Sequence, residues 1–142
     1  MTRFLPRIAR DVPKGQRKPR EGLRSKHRQW VKTLPCVACG GMPCDPAHVR
    51  MSRADLGKFN TGGRKPDDKY IVPLCRRCHD RQHDKEAERP FWARLGIDPV
   101  DVSLRLWAIT GDTEQALRAI ERAHQAIALH HTARANELRA GS

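Results

Sequence analysis

"PLCRRCHDRQH", residues 73–83, places two cysteines and two histidines within eleven residues, and three unrelated chemistries use such a run. Cys75, Cys78 and His79 spell the attachment site of a c-type haem. The same two cysteines are half of a tetrahedral thiolate site for zinc. His79 and His83, four apart, lie one above the other on a helix, where both imidazoles can converge on a single ion.

A second cysteine pair upstream decides among these. "CVAC", residues 36–39, repeats the C-x2-C spacing of Cys75 and Cys78. One such knuckle grips one side of a Zn²⁺ ion, and two close all four tetrahedral positions. Cys36, Cys39, Cys75 and Cys78 are therefore read as a structural zinc site, and Cys44, which has no partner at knuckle spacing, as a bystander thiol. A haem would leave Cys36 and Cys39 without a role. It also belongs to exported proteins, whereas "MTRFLPRIARDVPKGQRKPR" has no apolar run of signal-peptide length. With zinc filled by sulfur, His79 and His83 are free for a second ion. Two protein nitrogens leave positions open to water and a phosphate oxygen, the layout of a catalytic metal.

The composition agrees with a small stapled module. Of 142 residues only 38% are hydrophobic and 31% are charged, so the core is modest and a metal is a fitting staple. The net charge of +12 points to a polyanionic partner such as a nucleic acid, with RNA as open as DNA on charge alone. Most of that excess is N-terminal: residues 1–35 carry eleven Lys and Arg against Asp11 and Glu21. No stretch reaches the ~20 apolar residues of a membrane span, so the expectation is a soluble, cytoplasmic protein with no membrane partner. In a reducing compartment cysteines serve as metal ligands or free thiols.

Organisation follows from punctuation. Residues 1–24 are rich in Arg, Lys, Pro and Gly without a hydrophobic period and read as an extended arm. A short helix is predicted over residues 25–34, with Trp30 and Leu34 facing inward, ended by Pro35. "AHVRM", residues 47–51, and "YIVPL", residues 70–74, are strand-like, joined by a long polar loop. Helical patterns follow at 76–85, in "RPFWARLG", in "DPVDVSLRLWAITG" with Val102, Leu106 and Ile109 on one face, and from Asp112 to about Leu138. Asp112 with Gln115 resembles a capping box. Leu117, Ile120, Ile127 and Leu138 mark the apolar stripe of the last helix, with His124 and His131, seven apart, on that inner stripe as packed or partner-facing residues. The expected units are an arm over 1–30, a core over 31–88 and a helical region over 89–142, whose helices are a candidate homodimer surface.

"CVAC", "PAHVR" and "DDKYIVPLCRRCHDRQH" together resemble the HNH endonucleases of the ββα-metal type, in the zinc-stapled form found in small phage-borne nucleases. The resemblance covers residues 36 to about 84. It implies an α+β fold: a small ββα-metal core with a four-cysteine zinc site, flanked by the basic arm and C-terminal α-helices. It further implies a hydrolase that cuts DNA phosphodiester bonds to leave 5′-phosphate and 3′-hydroxyl ends. Carried over by position, His48 is the general base. His79 and His83 hold one divalent ion, Mg²⁺, Mn²⁺, Ni²⁺ or Zn²⁺. Arg50, Arg53, Lys58, Arg64 and Lys65 around the loop are expected phosphate contacts.

Two positions depart from the family pattern. Ala47 stands where many members have an Asp or His ligand, so the ion is held by two histidines and water, or His48 is itself a ligand, or Asp45 reaches in from beyond Pro46. The middle Asn is missing unless Asn60 serves, and Asp67 or Asp68 is the alternative for pinning the loop backbone. The competing reading is a zinc-stabilised nucleic-acid-binding module without chemistry.

Overall fold

The computed structural model describes residues 18–59 and 65–141, with side chains from Gly22 onward. The first seventeen residues of the expected arm, together with Asn60 and Arg64, lie outside the described residues. The fold is α+β: α1 (Lys18–Val31), β1 (Cys44–His48), β2 (Ile71–Cys75), α2 (Arg76–Asp80), α3 (Glu88–Leu95), α4 (Pro99–Ala108) and α5 (Thr113–Ala140). A 3₁₀ turn, Ala54–Leu56, interrupts the long loop, and α2 runs straight into a π turn, Arg81–Lys85.

The sheet is a two-stranded antiparallel ribbon in which Cys44 faces Cys75, Pro46 faces Pro73 and His48 faces Ile71. β1 lies three residues upstream of the expected 47–51. The reason is a competitor for the later backbone: the Glu88 carboxylate accepts the amides of Arg50 (2.9 and 3.0 Å) and Met51 (2.6 Å), which removes them from any ladder. β2 is apolar and buried along Ile71–Leu74. Its outer edge is used as well, because Val37 N donates to Pro73 O at 2.9 Å. That bond ties the first knuckle to the strand that leads into the second.

α1 begins at Lys18, earlier than the predicted 25, with Pro19 in its first turn, where a missing N–H costs nothing. It is part of the packed body, since His27 and Val31 are fully buried. Residues 18–30, expected within the arm, are therefore helical. At the other end, Asp112 caps α5 by accepting from Gln115 N at 3.1 Å, as the sequence suggests. The buried face of α5 is Ala116, Ile120, Ala123 and Ile127, while Leu117 and Leu138 face solvent. The alanines let α5 approach closely, a role that a search for large apolar residues overlooks. On α4 the buried face is Val100, Ser103 and Leu106.

One hydrophobic core runs from Leu34, Val37 and Val49 through Val72 and Leu74 to Phe91, Trp92, Leu106, Ile120 and Ile127. It crosses the expected boundary at residue 88, so the C-terminal helices and the cysteine-bearing segment form one body. No helix among the described residues is long and apolar enough to cross a membrane.

Candidate metal centre and its neighbouring histidines

The first knuckle is a tight turn closed by Gly40 N donating to Cys36 O (2.8 Å) and Cys36 N donating to Gly41 O (3.0 Å). Gly40 sits at φ +78, a conformation open to glycine and strained for other residues. The second knuckle starts at Cys75, the last residue of β2, and ends one turn into α2 at buried Cys78. The ribbon brings the two together. The sulfurs of Cys36, Cys39, Cys75 and Cys78 all lie within 4.8 Å of one another, and Cys39 and Cys75 approach to 3.6 Å.

The donor set fits a metal ion. Metal–sulfur bonds of ~2.3 Å in a tetrahedron place the sulfurs ~3.8 Å apart, and the cluster needs only small contraction to reach that. Burial pushes the Cys36 and Cys78 thiols up. For Cys39 burial acts in the same direction but is outweighed by the Gly41 amide and the neighbouring thiols, which bring it down to about 7. A bound cation would favour the thiolate at all four. Cys44 stays outside the set: its Sγ donates to Gly41 O at 3.2 Å, and burial pushes it up to about 12.

His79 and His83 meet as expected, with ring centroids 4.8 Å apart. The helix beneath them is not uniform, because Glu86 N donates five residues back to Arg81 O and His83 lies inside that π turn. π turns concentrate at functional sites. Asp45 Oδ2 lies 3.1 Å from His79 Nδ1 and accepts from Arg76 Nη1 at the same distance. The bond from His79 holds the Asp45 carboxyl below the usual carboxylate range, with Arg76 assisting. A carboxylate on Nδ1 leaves Nε2 of His79 as the nitrogen for an ion. Asp45 thus fixes the orientation of the His79 ring. Among the described residues the group of three or more potential metal donors is the four cysteines, and His79 and His83 belong to no such group.

His48 ends β1, and its Nε2 lies 2.8 Å from Asp68 Oδ1. Burial pushes the imidazole below its ordinary value; the Asp68 carboxylate opposes this, and Lys65 and Arg28 add to it. Asp68 thus serves the ring, whereas Asp67 serves the backbone by accepting from Lys69 N at 3.0 Å. The basic loop residues divide. Arg50 and Lys65 are exposed. Lys58 is 3% exposed and its Nζ lies 5.0 Å from the centre of the Tyr70 ring, which takes it away from phosphate. Arg53 is engaged by Asp55 at 2.8–2.9 Å and by Asp98.

Three contributors were beyond motif reading. Glu88 grips the backbone just after His48, Arg28 of α1 stands 3.4 Å from Asp68, and His124 Nε2 lies 2.8 Å from Cys36 O. None has a local signature, since each acts from a distant segment. His131, expected on the inner face of α5, is exposed, and His130 turns inward instead.

A family profile described as "Protein of unknown function (DUF968)" matches residues 12–106, more than half of the chain. The chain belongs to the DUF968 family. The matched span takes in α1, both knuckles, His48, His79 and His83. A relative within the curated proteins, "Uncharacterized protein YdfU" of Escherichia coli (strain K12), is 39% identical over 66 residues. That match covers 46% of this chain and 18% of the relative, so the chain spans less than a fifth of its length. No solved structure matches.

Proposed function

We propose that this DUF968 protein is a metal-dependent HNH endonuclease that hydrolyses DNA phosphodiester bonds, with zinc on the four cysteines as a structural staple. The observation that carries the reading is the placement of His48. A half-buried imidazole at the end of one strand is held by a carboxylate, while the partner strand passes through the cysteine cluster into a helix that presents two more imidazoles. In this reading His48 takes the proton of the attacking water. Asp45 orients His79, and Arg50 and Lys65 steady the phosphate. A divalent ion on His79 and His83 would supply charge stabilisation at the phosphate and leaving oxygen. Zinc suits the four-sulfur set because tetrahedral thiolate sites select it.

The missing third ligand favours a second reading, a zinc-stabilised module that binds nucleic acid without cutting it. A plasmid assay separates the two. The nuclease should nick or linearise DNA with Mg²⁺, Mn²⁺ or Ni²⁺, stop in chelator, and lose cleavage in His48→Ala with zinc content and DNA binding retained. Tight binding with no cleavage under any of these ions would establish the binding module instead.

A further inference from the structure

We propose that Asp68 and Arg28 are positioning residues that hold His48 in one tautomer, with the proton on Nε2 and Nδ1 as the bare acceptor. This rests on the nuclease reading for its catalytic meaning, but the tautomer itself is a property of the fold. Three segments converge on it: the end of β1, the turn before β2 and the last turn of α1. Register places His48 opposite Ile71, so the turn that holds Asp68 lies beside the imidazole.

The chemistry follows from which atoms meet. An ionised carboxylate only accepts hydrogen bonds, so the ring nitrogen 2.8 Å from Asp68 Oδ1 is the one that carries the proton. The two imidazole nitrogens are distinct, and the partner of one decides what the other can do. Nδ1 is then the lone pair available to a proton on water. The second oxygen of Asp68 is occupied too, with Oδ2 lying 3.4 Å from Arg28 Nε, so the carboxylate is gripped at both ends. Only 14% of each of the Asp68 and His48 side chains is exposed, which limits exchange of the bond with solvent.

The turn carrying Asp68 is itself clamped. Tyr70 N donates to Asp67 O at 2.9 Å, and Arg24, one helical turn before Arg28, pairs with Asp67 at 3.0 Å. Two arginines of one helix face thus meet two consecutive aspartates. Glu88 holds the chain on the far side of His48 through the Arg50 and Met51 amides. A surface ion pair placed for stability alone has no need of such convergence on one imidazole.

The test uses the full chain with zinc bound and the His48 ring nitrogens read by long-range ¹H–¹⁵N NMR, alongside plasmid cleavage. The wild type should show the Nε2–H form in the neutral state. Asp68→Asn, which is isosteric, should convert it to a mixed or Nδ1–H population and lower kcat by about 10²-fold, within the range of general-base contributions. KM for plasmid should barely move. Arg28→Ala should lower kcat less, and Arg28→Lys should restore it. An Nδ1–H form in the wild type, or an Asp68→Asn protein with unchanged tautomer and kcat and only a lower Tm, overturns the proposal. A wild type that cuts nothing would overturn the nuclease reading, while the NMR result would still uphold or overturn the role of Asp68.

Discussion

His27 should make this fold acid-labile by an amount the structure allows one to work out. Its ring is fully buried, edge-on to Trp107 with centroids 4.8 Å apart. Thr110 Oγ1 donates to Trp107 O at 2.8 Å, so it accepts from the His27 Nδ1–H that lies 2.8 Å away. Nε2 is then a buried lone pair with no partner among the described residues, and protonation would place a donor and a charge there unsatisfied. Burial accordingly lowers the imidazole from 6.5 to about 4, against an opposing pull from Asp68. The unfolded chain takes up a proton near 6.5 and the folded one does not until about 4. Stability is therefore fully present above the upper value and is lost as pH falls between the two. At ~1.4 kcal/mol per unit, the loss approaches about 3 kcal/mol at the lower limit and reaches about 2 kcal/mol near pH 5. The assay is urea unfolding of the metal-loaded protein near neutral pH and near pH 5, beside His27→Asn, whose amide can keep the bond to Thr110 without titrating. The wild type should lose about 2 kcal/mol more than the variant over that interval. Parallel losses in the two proteins would refute the argument, because every other titrating group is common to both.

Two further perturbations probe the body that holds the site. Cys75→Ser should release the metal and unfold the centre, since structural zinc contributes on the order of 10 kcal/mol to small modules; metal analysis with circular dichroism checks this, and a folded, metal-free protein would remove the four-sulfur site. Gly96→Ala should destabilise by about 2–4 kcal/mol, because Gly96 has φ +76 and an added Cβ would stand 2.2 Å from His130 Cγ. Pairing it with His130→Ala in a thermal double-mutant cycle should recover part of that loss.

Much of this architecture is written locally. The two C-x2-C knuckles, the histidines at 79 and 83, the apolar run of β2 and the Asp112 cap are each visible within a few residues, because metal-ligand spacing, strand hydrophobicity and capping are short-range properties. The boundaries of β1 were not legible, since the backbone after that strand is taken by Glu88, whose carboxylate accepts the Arg50 and Met51 amides 38 and 37 residues upstream. Lys58 read as a phosphate contact because a basic loop residue is normally solvated; only the fold lays it over Tyr70.

The sequence by itself determined the candidate ligand types, their pairing into knuckles, the basic character of the N-terminal segment and the helical nature of the C-terminal half. Tertiary structure decided which partner each imidazole obtained. His48 received Asp68, His79 received Asp45, His27 received Thr110 and His124 received the Cys36 carbonyl. The physical reason is range: a coordination motif is set by residues a turn apart, whereas the tautomer and basicity of a histidine depend on burial and on one acceptor or donor, 20 to 88 residues away in these four cases.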